Sequence, residues 1–125
     1  MTNAVKPNEI NHHNVAKVLV KILTNWDIST EDSAHLMGLS SDDLTSLLNE
    51  DSKINQATQE RMGYLLNIHE QLKNLFGNDD NLPIFINTPN QAELFSGQVP
   101  LDYMKEQGLD GLKLVLEHLE NARIK

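Results

Sequence analysis

Cysteine is absent from this chain, and aromatic residues number only six. Without a thiol, neither a disulfide framework nor a thiolate metal site nor a cysteine nucleophile can form. The longest apolar runs have three residues, as at 18–20, whereas a membrane-spanning helix needs roughly 20. The polar N-terminus also lacks the apolar stretch of a signal peptide. We therefore expect a soluble cytoplasmic protein without a membrane partner, whose 125 residues suffice to bury a core.

Basic residues are missing from the middle of the chain. Residues 27–51 contain seven acidic side chains and no Lys or Arg, whereas residues 1–26 carry a local charge of +2 and the whole chain −8. Because DNA is itself a polyanion, the middle segment disfavours contact with it. A weak contact through Lys17 and Lys21 of the first predicted helix stays open.

Motifs of catalysis and of metal binding are missing as well. The sequence contains neither a GxGxxG nor a GxxxxGK phosphate loop, and no HExxH pair. His12 and His13 are adjacent, so they do not share a helix face, and the other three histidines lack a paired spacing. We expect no catalytic residue, no metal site and no cofactor.

Apolar residues recur at intervals of three and four along most of the chain, which predicts an all-α fold. The first helix is predicted at 13–26. Its apolar stripe is expected to be core and consists of Val15, Val18, Leu19, Ile22, Leu23 and Trp26.

Two short helices around Gly38 have the spacing of a helix-turn-helix. Ser29 is the predicted cap of the first, and Ser40 or Ser41 that of the second. A recognition helix offers basic or amide groups to DNA, but the second helix offers mainly acids, beginning with Asp42 and Asp43. We interpret this pair as a packing scaffold that resembles a helix-turn-helix.

The C-terminal half predicts a long helix at 55–76, a short helix that begins near Pro83, a loop at 91–99, a helix opened by Pro100, and a last helix at 109–122 after a break at Gly108. Residues 84–86 could also form a strand, but no second β-rich segment exists to pair with it. Within the long helix, Arg61 is interpreted as an ion-pair or helix-end partner that joins two layers, with a ligand contact as the alternative. Tyr64 and Leu66 form a second apolar face, for the N-terminal helices or for a second copy of the chain.

The order in which certain residues and residue pairs follow one another along the chain resembles that of the Xre/MbcA/ParS family of bacterial antitoxins. The resemblance covers residues 26–120 and includes Glu60-Arg61, Pro89-Asn90, Gly97 and Pro100-Leu101. It implies a flexible N-terminus at 1–12, a degenerate helix-turn-helix-like part at 13–52 and a helical toxin-binding domain at 53–125. The residues interpreted as structural marks of the family are Trp26, Gly38, Glu60, Arg61 and Pro89.

By resemblance, the chain is an antitoxin of a type II toxin–antitoxin module, a homodimer, and not an enzyme. Its partner is a RES-domain toxin, an NAD-consuming enzyme related to ADP-ribosyltransferases, whose active site it covers. The predicted toxin-binding residues are Asn90, Leu94, Phe95, Gly97, Gln98, Pro100 and Tyr103. Phe95 and Tyr103 are predicted either as exposed anchors of this surface or as core residues. Two alternatives stay open: a helix-turn-helix transcriptional regulator and an orphan helical interaction module.

Overall fold

The computed structural model describes residues 11–50, 53–77 and 80–124, and these form six helices without a β-strand. The helices are α1 (His12–Asn25), α2 (Thr30–Met37), α3 (Ser41–Asn49), α4 (Gln56–Phe76), α5 (Leu82–Asn87) and α6 (Pro100–Ile124). The predicted all-α fold is confirmed. Residues 1–10 of the predicted flexible N-terminus lie outside the described residues, and the predicted division of the chain at residue 52 stays a prediction.

Short polar side chains begin the N-terminal helices. The Ser29 hydroxyl accepts a hydrogen bond from the Asp32 amide (3.1 Å), and the Ser40 hydroxyl accepts one from the Asp43 amide (3.0 Å). Each bond satisfies one of the amides that the first turn of a helix leaves without an intrahelical partner. Gly38 ends α2 with φ +77°, in the left-handed region. Of the two predicted caps of α3, Ser40 is therefore the correct one.

The helix α4 lies at the centre of the fold, where it contacts α1, α2, α5 and α6. The most extensive contact of α4 is with α6, and α1 packs on both α3 and α4. Buried side chains of all six helices form one hydrophobic cluster. The largest fully buried members are Trp26, Leu19, Leu23, Leu36, Met37, Leu44, Leu47, Leu65, Ile68, Leu72, Leu82 and Ile86.

The prediction is wrong for one residue of the apolar stripe of α1. Val18 was expected in the core, but its side chain is 54% exposed, whereas Ala16 is fully buried. The apolar residues of α1 occupy a wider arc than its neighbours cover, so the residue on the margin of that arc faces solvent. The small Ala16 side chain lies on the packed face together with Leu19 and Leu23.

The segment that could have been a strand is helical. α5 includes residues 84–86, with Pro83 in its first turn, and it ends at Thr88, whose backbone is extended before Pro89. Asn81 holds the N-cap position of α5, but its side chain makes no capping hydrogen bond. α6 is interrupted at Gly108 as predicted, since φ +63° and ψ −142° are not helical.

Candidate functional site

The loop between α5 and α6 is closed by the backbone of Asn90. The Asn90 amide donates to the Gln98 carbonyl (3.1 Å), and the Gly97 amide donates to the Asn90 carbonyl (2.8 Å). The Asn90 side-chain oxygen also accepts from the Ala92 amide (2.8 Å). These bonds join the two ends of the loop and leave it with a defined shape. Asn90 and Gly97, both predicted as toxin-binding residues, are thus first of all residues that shape the loop.

The aromatic side chain of this loop points into the core. Phe95 is 2% exposed, and its ring lies edge-on to Tyr103, with a centroid separation of 5.3 Å, and to His118, at 5.5 Å. Phe85 of α5 meets Phe95 from another side at 6.2 Å. Of the two predicted roles of Phe95 and Tyr103, the structure shows the core role, because their rings fill the space under the loop. Pro100 is buried as well.

The other predicted toxin-binding side chains are only partly accessible. Leu94 is half-buried against the core. Gln98 is half-buried too, and its side-chain amide donates to the Glu106 carboxylate on α6. The structure therefore brings the predicted set together in one loop and at the start of α6, with its aromatic members inside. That this set contacts a toxin stays a prediction.

The most exposed of the large apolar side chains in the described residues lies next to this loop, on α5. Ile84 is 61% exposed and borders a depression of about 300 Å³. This exposed side chain was not predicted from the sequence. The composition of α5 could have indicated it, because a helix of six residues with four apolar side chains cannot turn all of them to one buried side. The residues that line the depression are Phe76, Asn81, Ile84, Phe85, Thr88, Pro89 and Asn90.

Tertiary contacts hold α5 in place. Leu82 and Ile86 are buried, and Phe85 lies between Phe76 (6.0 Å between centroids) and the loop ring. Asn87 donates from its side-chain nitrogen to the Trp26 carbonyl at the end of α1 (2.8 Å). Its second hydrogen bond, to the Pro83 carbonyl (2.9 Å), closes the α5 turn. The short helix is consequently fixed to both the N-terminal helices and the loop.

Arg61 lies between the ends of two helical stretches. A methyl group added at Gly38, which ends α2, would lie 3.1 Å from the Arg61 Cδ and Nε atoms. One added at Gly108, in the break of α6, would lie 3.2 Å from Arg61 Nη2. Both glycines have positive φ, so a side chain there is disfavoured by the backbone as well as by Arg61. Arg61 therefore lies between two layers of the fold, while its predicted role as an ion-pair or helix-end partner stays a prediction. The neighbouring Glu60 is exposed and accepts a hydrogen bond from Gln56.

Two further contacts join α2 to the first stretch of α6. Lys105 Nζ and Asp32 Oδ1 form an ion pair at 2.9 Å. A ring nitrogen of His35 lies 3.0 Å from the Lys105 carbonyl oxygen. The hydrogen bond that Lys105 donates to the Asp32 carboxylate raises the pKa of Lys105 above its ordinary value of 10.5. Partial burial opposes the rise, and nearby acids add to it.

The outer side of α3 is polar and acidic. Asp42, Asp43 and Asn49 are exposed, while Leu44 and Leu47 form the buried side. The structure thus places carboxylates where a DNA-reading helix would carry basic groups. Within the described residues, none of the helices has the length and apolarity to cross a membrane.

Comparison with known proteins identifies the C-terminal segment. Residues 71–123 match the model of the C-terminal toxin-binding domain of Xre/MbcA/ParS antitoxins. The matched segment includes the end of α4, all of α5, the loop and most of α6. The predicted resemblance to this family is confirmed over these residues, while its N-terminal part, 26–70, lies outside the match. No curated protein matches the chain.

Proposed function

We propose, from the premise that residues 71–123 match a toxin-binding domain, that this chain is the antitoxin of a type II toxin–antitoxin module. Its partner is an NAD-consuming RES-domain toxin, and it acts in the cytoplasm by covering the active site of that toxin rather than by catalysis. The match carries the proposal. The charge of −8 supports it, because a pocket that holds the pyrophosphate of NAD is positively charged and attracts an acidic inhibitor.

The proposed contact surface is the outer side of the loop between α5 and α6 with the adjoining part of α5. A loop on a rigid scaffold is a common place for binding groups, and this loop is fixed by its backbone bonds and by the ring of Phe95 beneath it. Phe95, Pro100 and Tyr103 act in this proposal from inside, because they set the shape of the surface. Leu94 and Gln98 supply partly accessible side chains.

A homodimer is part of the proposal, and the groove between α1 and α4 is its proposed interface. Val15 and Leu66 line two adjoining apolar depressions there, one of which also includes Val18, and the other Gly63. A methyl group added at Gly63 would meet nothing within 4 Å, so no contact within the chain explains a glycine at this point of a helix. A second chain in close contact would explain it. Val18→Asp is expected to lower the molar mass in solution from dimer to monomer, as measured by light scattering.

The test of the antitoxin proposal is a pull-down with the tagged full-length chain from the lysate of its own host. The retained protein is identified by mass, and its consumption of NAD is measured with and without this chain. We expect one stoichiometric partner that consumes NAD only after it is freed. A retained partner without NAD-consuming activity would contradict the RES assignment. Retention of DNA and of no protein would favour a transcriptional regulator instead.

A further inference from the structure

The side of α5 that carries Ile84 has no charged side chain. None of the six residues of α5 is ionisable, and neither is any residue that lines the adjoining depression. The chain as a whole carries 18 acidic side chains. Covering this surface therefore removes apolar groups from water without burying a charge, and burial of an unpaired charge is the largest penalty that an interface can incur.

The same surface combines an exposed apolar side chain with a depression. Ile84 projects with 61% of its surface exposed, and beside it lies the depression of about 300 Å³, with Phe76, Phe85 and Pro89 in its apolar wall. Asn81, Thr88 and Asn90 are the polar residues of its lining. A buried apolar contact with a few polar groups near it is a common composition of an energetically dominant contact.

The surface is also rigid before any partner binds. α5 is fixed by the two hydrogen bonds of Asn87 and by the buried side chains of Leu82 and Ile86. The ordering of loops and side chains is a principal free-energy cost of association. This surface requires little further ordering when a partner binds.

We infer that Ile84 and the depression beside it are a docking site for an apolar side chain of the toxin. The inference rests on the proposed function and names the contact surface within it. The toxin is favoured as the occupant because the whole surface lies inside the segment that matches a toxin-binding domain. Nucleic acid is disfavoured, since the surface offers no cation to a phosphate.

The test measures the affinity of the full-length chain for the toxin by isothermal titration calorimetry. Ile84→Ala is expected to weaken binding about 10-fold, as truncation of a dominant apolar contact does, and Ile84→Asp roughly 100-fold or more. Leu114→Ala is the matched control, because Leu114 is also exposed and apolar (43%) and lies inside the matched segment, but it does not line the depression. Its affinity per chain should equal that of the wild type. Circular dichroism melts should coincide for all variants, since an exposed side chain contributes little to folding.

Three outcomes would overturn the inference. Wild-type affinity of both Ile84 variants would contradict the docking site, and equal weakening by Leu114→Ala would show that the effect is not specific to this surface. A change from dimer to monomer in Ile84→Asp would assign the surface to a second copy of the chain. Failure of the wild type to bind any NAD-consuming toxin is a different result, because it contradicts the proposed function and not the choice of surface.

Discussion

α3 and α5 are both short surface helices, but they differ in what begins them and in what they expose. α3 is capped by Ser40 and exposes Asp42 and Asp43 to water. α5 has no side-chain cap, carries no charge and exposes Ile84. α3 has a local cap and buries its apolar side, Leu44 and Leu47, whereas α5 has no cap, depends on distant residues and leaves apolar surface uncovered. This difference is the reason why the proposed contact surface is placed on α5 and not on α3.

The largest expected effect comes from the ring that supports α5 and the loop. Phe95→Ala removes the contacts with Phe85, Tyr103 and His118 and should lower the free energy of unfolding by about 3 to 5 kcal/mol. Toxin binding should weaken with it. Leu47→Ala, in the core side of α3, is the control: it should cost about 2 to 5 kcal/mol without a comparable loss of affinity in the folded fraction. Urea unfolding and calorimetry measure the two quantities. An equal loss of affinity in both variants would contradict the proposal that α5 and the loop, and not α3, form the contact surface.

A smaller effect is expected where Arg61 meets the break in α6. Gly108→Ala introduces a side chain at φ +63°, 3.2 Å from Arg61 Nη2, and should destabilise the fold by about 1 to 3 kcal/mol. Gly63→Ala is the matched control, because Gly63 is helical and has free space around it; in the monomer it should stabilise by about 0.5 to 1 kcal/mol. Thermal melts of both variants give the comparison. Similar shifts of Tm in the same direction would contradict the account of Arg61.

The capping difference between α3 and α5 can be measured directly. Ser40→Ala removes the hydrogen bond to the Asp43 amide and should cost about 1 kcal/mol. Asn81→Ala, at the equivalent position of α5, should cost less than about 0.5 kcal/mol, because the Asn81 side chain makes no capping bond. Urea unfolding of the two variants checks this. A larger cost for Asn81→Ala would mean that α5 also depends on its cap.

The smallest expected effect is in the ion pair that joins the two regions. Because the pKa of Lys105 is raised in the folded state, the pair stabilises the fold fully below pH 10.5, and this contribution is lost as pH rises through the folded-state value. Both side chains are about 30% exposed, so Asp32→Asn should cost only about 0.2 to 1 kcal/mol at pH 7. The difference from the wild type should disappear in strongly alkaline solution. A difference that persists there would assign the effect to another contact of Asp32.

Sequence reasoning located most of the fold because helix boundaries are local. Ser29 and Gly38 act within three or four residues of their own position, and their caps agree with the prediction. Burial was harder to predict, since Val18 has the apolar character of Leu19 but lies on the margin of the packed face. The match of residues 71–123 confirms the resemblance for the C-terminal segment, whose recognition rests on the order of its Gly, Pro and apolar positions.

By itself, then, the amino-acid sequence determined the helices with the break at Gly108, an acidic α3 and the similarity of the C-terminal segment to a toxin-binding domain. Periodicity, capping and charge are properties of neighbouring residues, so they can be read without the fold. Only the tertiary structure decided that Phe95 and Tyr103 are core, that Arg61 lies between Gly38 and Gly108, and that Ile84 remains exposed. Each of these depends on which distant segments meet, as when Asn87 bonds to the Trp26 carbonyl 61 positions away. Contacts over such separations are set by packing of the whole chain, and no local pattern encodes them.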